Sequence, residues 1–191
     1  LELFHKKYKN MNASTFKEKF TKEDFTKYHI EADKHDMRDV DGPQSKIANM
    51  LQLKNKKSYV AIDLGCGMNR LKNMEQVNKM KWTSVDAIPI DDNVIEANLG
   101  NMPEIEEETY DIAVLNRAIW SRDYENILKE AHRILKIGGT LIICEACRRW
   151  TKDKKENILP GIVKECGFNI VEEIGTNYMD GHTFQYITCM K

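Results

Sequence analysis

The sequence predicts an α/β fold, a doubly wound, mostly parallel sheet of seven strands with an N-terminal helical extension. Three observations carry that prediction. From Tyr59 onward, short apolar runs rich in branched residues alternate with stretches of helical spacing. The first such run, Val60 to Leu64, leads directly into Gly65-Cys66-Gly67, a turn in which backbone amides can approach a ligand at the carboxyl edge of a parallel sheet. Later, Tyr124, Ile127, Leu128, Ala131, Ile134 and Leu135 mark an amphipathic helix, which the pattern expects to stop at Gly138-Gly139 in a left-handed cap.

Length and composition set the frame. With 191 residues and 41% hydrophobic content, the chain can bury one good core plus an extension, so residues 1–57 are assigned to the extension and 58–191 to the sheet domain. Mean hydropathy is −0.57, and no apolar run approaches the roughly 20 residues of a membrane span. No membrane partner is expected, and without a signal-peptide pattern the expected location is intracellular. Five cysteines, an odd number placed mostly inside apolar runs, read as reduced buried thiols. Cys144-x-x-Cys147 lacks a second Cys/His pair at zinc spacing, so no metal site is expected. The net charge of −1 argues against binding nucleic acid by bulk electrostatics. It is unevenly spread: residues 1–57 carry 13 Lys/Arg against 9 Asp/Glu, net +4, and the remainder 16 against 21, net −5. The basic arm either contacts phosphate or is a solvated helix surface.

In chain order, residues 1–24 show no sustained period, and Phe4, Tyr8, Phe16, Phe20 and Phe25 line a short helix face or belong to a partly disordered segment. Pro43 at a first helical position, after Asp41 or Gly42 as cap, starts a helix with Ile47 and Leu51 on one side. Lys54-Asn55-Lys56-Lys57 is the linker to the sheet. After the first strand, Leu71, Met74 and Val77 fit helical spacing. Lys81 to Asp86 and Val94 to Asn98 are the second and third strands, joined by a link too short for a full helix. Tyr110 to Leu115 is the fourth strand and Thr140 to Cys147 the fifth. A helix through Ile158, Ile162, Val163 and Cys166 ends at Gly167, and Phe168–Ile174 and Thr183–Met190 form an antiparallel pair.

The chemistry lies at the strand ends. Asp86, an acid ending the second strand about 20 residues past a glycine turn, is placed to bind the two hydroxyls of a ribose. A dinucleotide site would carry a third glycine where this chain has Arg70, and Asp63 ahead of the turn adds negative charge where a pyrophosphate would sit. A cationic nucleoside without phosphate fits better, and S-adenosylmethionine is one. Asn98 and Asn116 lie at carboxyl ends of strands, where they either contact a ligand or cap a turn.

With Asp63-Leu64-Gly65-Cys66-Gly67 and Leu135-Lys136-Ile137-Gly138-Gly139, the sequence resembles class I S-adenosylmethionine-dependent methyltransferases, a Rossmann-like family whose second pattern has proline where Ile137 stands. From Tyr28 to the C-terminus it also resembles the ribosomal RNA processing protein eight (nucleomethylin) family. Tyr28-His29, Pro43-x-x-x-Ile47-Ala48-x-x-Leu51, Asp63-x-Gly65-Cys66-Gly67-x-x-Arg70-Leu71, and Gly167-Phe168-x-Ile170-Val171 with Thr176-Asn177 carry that resemblance.

The resemblance implies S-adenosylmethionine as cofactor, with contacts from His29, Gly65, Asp86, Asn98, Leu99 and Asn116, to which the glycine motif adds Asp63 and Gly67. It implies methylation of an adenine ring nitrogen in ribosomal RNA and a nuclear or nucleolar location (otherwise cytoplasmic); the N-terminal extension is expected to act as a lid carrying His29 and to offer a surface for protein partners. The chain departs from the family at Asn98 (Asp there), Leu99 (Met) and Asn116 (Cys), and it lacks a Trp-Pro between His29 and Pro43. Trp120 stacks on a base or sits in the core, and Arg148 and Arg149 meet an RNA backbone or form a solvated helix start. The rival readings are a degenerate methyltransferase acting as a scaffold, a methyltransferase of DNA or a small molecule, and a nucleotide-dependent oxidoreductase.

Overall fold

The computed structural model describes residues 20–36, 42–119, 121–153, 156–175 and 182–191, with side chains throughout except 32–36. Among the described residues two helices come first, α1 (Lys22–Asp36) and α2 (Pro43–Leu51). Gly42 caps α2 and Pro43 occupies its first turn, where a missing N–H costs nothing. Then come β1 (Val60–Leu64), β2 (Lys81–Asp86), β3 (Val94–Glu96), β4 (Tyr110–Asn116), α3 (Tyr124–Ile134), β5 (Leu135–Ala146), α4 (Leu159–Glu165), β6 (Asn169–Ile174) and β7 (Phe184–Met190). One helical turn, Cys147–Trp150, and a two-residue ribbon, Thr151–Lys152 with Glu156–Asn157, lie between β5 and α4.

The seven strands form one sheet in the order β3-β2-β1-β4-β5-β7-β6. The first five run parallel, and β7 inserts antiparallel between β5 and β6. Apolar layers cover both faces, as a parallel sheet requires. Ile62 and Leu64 of β1 join Leu128, Ile134 and Val163 in one layer, while Ala61 joins Ile47, Leu51, Leu71 and Val77 in the other. A third, smaller cluster seats Phe20 and Phe25 on Ile88; Phe4, Tyr8 and Phe16 lie outside the described residues. No helix among the described residues is long and apolar enough to cross a membrane.

Two elements differ from expectation. The helix expected at Leu71, Met74 and Val77 is instead a series of three-residue turns around a 3₁₀ turn, Leu71–Asn73. Its bonds run Met74 N to Leu71 O, Val77 N to Met74 O and Met80 N to Val77 O. The apolar spacing is three, the period of such turns, so the residues still reach the core without α-helix. The second difference is α3, which ends at Ile134 rather than at the glycine pair; Leu135 is already extended and starts β5. Gly138 takes φ 76, and the pair is tied to the end of β7 through Gly138 N–Lys191 O and Lys191 N–Gly139 O, both 3.1 Å. The glycines therefore shape the irregular start of a strand.

Candidate active site

The carboxyl ends of β1, β2 and β4 converge around the glycine turn. The Gly65 and Cys66 amides donate to the Val85 carbonyl of β2 at 2.8 and 3.1 Å, fixing the turn to its neighbouring strand. Gly65 (φ 75) and Gly67 (φ 53) are left-handed, a conformation that side chains disfavour. Close approach constrains both further. A Cβ on Gly65 would lie 2.8 Å from the Ala118 methyl and 3.4 Å from Leu99 Cδ1, and one on Gly67 would lie 2.5 Å from the His29 ring. The turn is thus enclosed by the β4 loop, by Leu99 and by α1.

Asp86, buried at the end of β2, braces the turn. One carboxylate oxygen accepts the Gly67 N–H at 2.9 Å and the other the Ile88 N–H at 3.1 Å. The carboxylate keeps lone-pair capacity for a further donor. Burial lifts the Asp86 carboxyl to about 6, held back by the backbone N–H groups of Ile88, Gly67 and Ala87. Asp63, fully buried in β1, is pushed up to about 7, first by burial and then by the Asp86 charge. Two acids therefore share the floor of the turn and would welcome a cationic ligand.

His29 lies on α1 with its ring edge-on to Phe25, centroids 4.4 Å apart. Burial lowers it to about 4, assisted by the charges of Arg117 and Arg70, so it is neutral near pH 7. Its buried Nε2 has no hydrogen-bond partner among the described residues, and the same holds for Asn116 Oδ1 at the end of β4. Arg117 follows at φ 57, a strained position for a non-glycine residue. Asn98 serves as a turn cap: its Oδ1 accepts the Gly100 N–H at 3.1 Å. Leu99 is buried beside the turn. Trp120 and the Thr176-Asn177 pair fall outside the described residues. Arg148 and Arg149 are both exposed, and the Arg149 guanidinium sits 5.3 Å over the Trp150 ring.

Two further residues organise this edge and escaped the sequence reading. Asn69, left-handed at φ 53 and buried, accepts from Ser84 Oγ at 2.6 Å and donates to Asp91 Oδ2 at 3.3 Å, joining the turn to β2 and the loop after it. Glu145, near the end of β5, is fully buried. It accepts the Ile119 N–H at 3.1 Å and the Trp150 indole N–H at 3.3 Å, and burial raises its carboxyl above the ordinary range. An acid closing an apolar run was its signal, the same one that marks Asp63 and Asp86. The thiols of Cys144 and Cys147 are buried, and Cys147 Sγ bonds the Gly175 carbonyl at 3.2 Å. No group of three or more His, Cys, Asp or Glu side chains among the described residues is placed to hold a metal.

A family model described as a hypothetical methyltransferase matches residues 2–185. The chain belongs to this methyltransferase family. Among curated relatives, the 25S rRNA (adenine(645)-N(1))-methyltransferase of Schizosaccharomyces pombe is 31% identical over 116 residues, which cover 60% of this chain and 36% of that protein. Ribosomal RNA-processing protein 8 of Arabidopsis thaliana is 33% identical over 108 residues, 56% of this chain and 36% of that one. The chain thus spans little more than a third of these relatives, and the resemblance to the ribosomal RNA processing protein eight family holds over that part. Among solved structures, the 1,6-didemethyltoxoflavin-N1-methyltransferase of Burkholderia thailandensis, solved with 1,6-didemethyltoxoflavin and S-adenosylhomocysteine, superposes with TM-score 0.62 at 17% identity, covering 87% of each chain. At that identity the likeness is one of fold: the methyltransferase family member has a Rossmann-like methyltransferase sheet.

Proposed function

We propose that this methyltransferase family member uses S-adenosylmethionine to methylate a ring nitrogen of adenine in RNA, with ribosomal RNA as the substrate class. The observation that carries the reading is the pairing, at one glycine turn, of two buried acids with two orphaned polar atoms, His29 Nε2 and Asn116 Oδ1. Buried polar atoms are rarely left unpartnered, and such exceptions point to a ligand. The donor set fits the cofactor. The free lone pairs of Asp86 suit ribose hydroxyls, the acids suit a cation, and Leu99 offers an apolar wall to the adenine. Asn98 Oδ1 accepts from Gly100 and keeps a second lone pair for the adenine amino group.

When bound, S-adenosylmethionine supplies an electrophilic methyl group, which a ring nitrogen takes up with its own lone pair, so no proton has to be removed first. The work left to the chain is positioning and exclusion of water. Gly65 and Gly67 bring backbone close, α1 covers the turn with His29, and residues 1–57 act as the lid. For the substrate, Trp120 is assigned to stack on a base, and Arg148 and Arg149 to meet phosphate. Adenine and ribosomal RNA are supported by the name of the S. pombe relative, and a nucleolar location agrees with the ribosomal RNA names of both relatives.

Calorimetry with S-adenosylhomocysteine and transfer of labelled methyl to RNA, DNA and small-molecule pools test the proposal. We expect binding that Asp86→Ala weakens at least tenfold, about 1.4 kcal/mol, and label in RNA adenine. No binding at millimolar ligand, or label confined to small molecules, would overturn it.

A further inference from the structure

We infer that the face built by α2, the 3₁₀ turn after it (Gln52–Lys54) and the β1–β2 connection is an RNA-docking surface, separate from the methyl-transfer edge. The inference rests on the RNA reading above and deepens it. Charge is the first observation. Segments 43–60 and 68–82 together hold eight Lys/Arg and one acid, Glu75, while the rest of the chain holds 21 Lys/Arg against 29 Asp/Glu. The two segments are neighbours in space: Asn55 Nδ2 donates to the Glu75 carbonyl at 3.2 Å, Gln76 Nε2 to Asn49 Oδ1 at 3.2 Å, and the Lys79 N–H to Asn55 Oδ1 at 2.8 Å. Lys56, Lys57, Lys79 and Lys81 are exposed, and Lys46 and Lys54 are half-exposed. Among the described residues none of Lys46, Lys54, Lys57, Lys79 and Lys81 sits in an ion pair, so their charge is available to a partner.

The second observation is what these cations surround. A cleft of about 610 Å³ opens between the two segments at the amino edge of β1 and β2, and five of its lining residues are amides, Asn49, Gln52, Asn55, Gln76 and Asn78. Side-chain amides carry donor and acceptor together, which matches base edges and ribose hydroxyls. An acidic peptide would set carboxylates against the lysines and only its backbone against the amides, without the base edges and ribose hydroxyls of a nucleotide. Lysines around an amide cleft therefore suit RNA, with phosphate contacts setting affinity and the amides meeting nucleotides.

The third observation is continuity. The β1–β2 connection that ends at the cleft begins at the glycine turn, and it carries cations along its length. Arg70 is an electrostatic neighbour of His29, Lys72 of Asp91, and Lys79 lines the cleft. β1 spans five residues, so the two edges lie roughly 17 Å apart at about 3.3 Å per residue. One folded RNA can bridge that distance, presenting a base at the turn while its backbone follows the basic track.

The test uses the full chain and a variant with Lys54→Glu, Lys57→Glu and Lys79→Glu. Anisotropy with labelled fragments of large-subunit ribosomal RNA, over a salt series, is compared with poly-L-glutamate, and S-adenosylhomocysteine binding is measured alongside. We expect the variant to bind RNA at least tenfold more weakly, with the slope of log affinity against log salt reduced by about 2 to 3. Its cofactor binding and melting should be unchanged, and the KM for RNA should rise with kcat held. Unchanged RNA affinity in a folded variant would overturn the surface and leave the methyltransferase reading standing. Poly-L-glutamate binding here as tightly as RNA would assign the face to an acidic protein and overturn it too. Wild-type protein that binds S-adenosylhomocysteine but no RNA would overturn the substrate class and this surface together.

Discussion

Asp63 and Asp86 sit together in the interior with their carboxyls lifted to about 7 and about 6, well above the ordinary 3.8. A raised acid contributes stability below its unfolded value and loses it as pH rises through its folded one, so the ligand-free protein gives up stability between about pH 4 and 7 through these groups. His29, lowered to about 4 from 6.5, acts in the opposite direction: it costs nothing above 6.5 and destabilises the packing of α1 as pH falls toward 4. A ligand with a cationic ammonium and ribose hydroxyls favours the ionised acids and so displaces their protons. S-adenosylhomocysteine affinity should therefore rise by up to about tenfold between pH 5.5 and 7.5, and binding near pH 6.5 should release protons. Calorimetry in two buffers of different ionisation enthalpy reads this directly. An enthalpy independent of buffer would remove the acids from the site. Asp86 was legible because an acid at the end of a strand is a local signal, whereas its bond to Gly67 N depends on the register of β2 against β1, which no local pattern encodes. His29 lies on a helix 38 residues ahead of Gly67, so residue spacing could not bring the two together, and only the family likeness drew attention to it.

At the scale of elements, the loop after β4 is held from the side by β5. Glu145 accepts from Ile119 and Trp150, and Trp150 in turn packs edge-on to Tyr124 at 5.1 Å, tying the loop, the turn after β5 and the start of α3 together. Glu145→Ala would strand two buried N–H groups and should cost about 3 kcal/mol, while Glu145→Gln, which keeps an acceptor, should cost about 1 kcal/mol. Urea melts give both values, and hydrogen exchange should show faster opening at the Ile119 amide in the alanine variant. Equal melting midpoints for all three proteins would remove the clamp. Element type was read well where the period was unambiguous: α3 buries Ile127, Leu128, Ala131 and Ile134 on the expected stripe. It was misread where three and 3.6 look alike, at Leu71, Met74 and Val77, and where a glycine pair suited a helix cap and a strand bulge equally. Glu145 was passed over because the run around it, Leu141 to Cys147, reads as apolar.

The whole molecule divides its labour by edge and by face. The carboxyl edge of the sheet gathers the glycine turn, the acids and the orphaned polar atoms, while the face covered by α2 carries the cations. Strand number and the antiparallel final pair followed from alternation, but the place of β7 between β5 and β6 is a property of the sheet that periodicity does not contain. Removal of residues 184–191 should yield a chain that aggregates and binds no S-adenosylhomocysteine in gel filtration and calorimetry; a soluble, ligand-binding monomer would contradict this. The position of β7 also matters during synthesis. Made after β6 and after the five parallel strands, β7 is the hydrogen-bonded link between them among the described residues. Until it emerges, β5 presents an open edge of apolar residues, Leu141 to Cys144, to any neighbouring nascent chain. The protein therefore passes through a stage in which all the residues proposed to hold the cofactor have been made but the sheet that carries them is unsealed, and its yield in a cell should depend on how quickly Phe184–Met190 follows or on a chaperone that shields that edge.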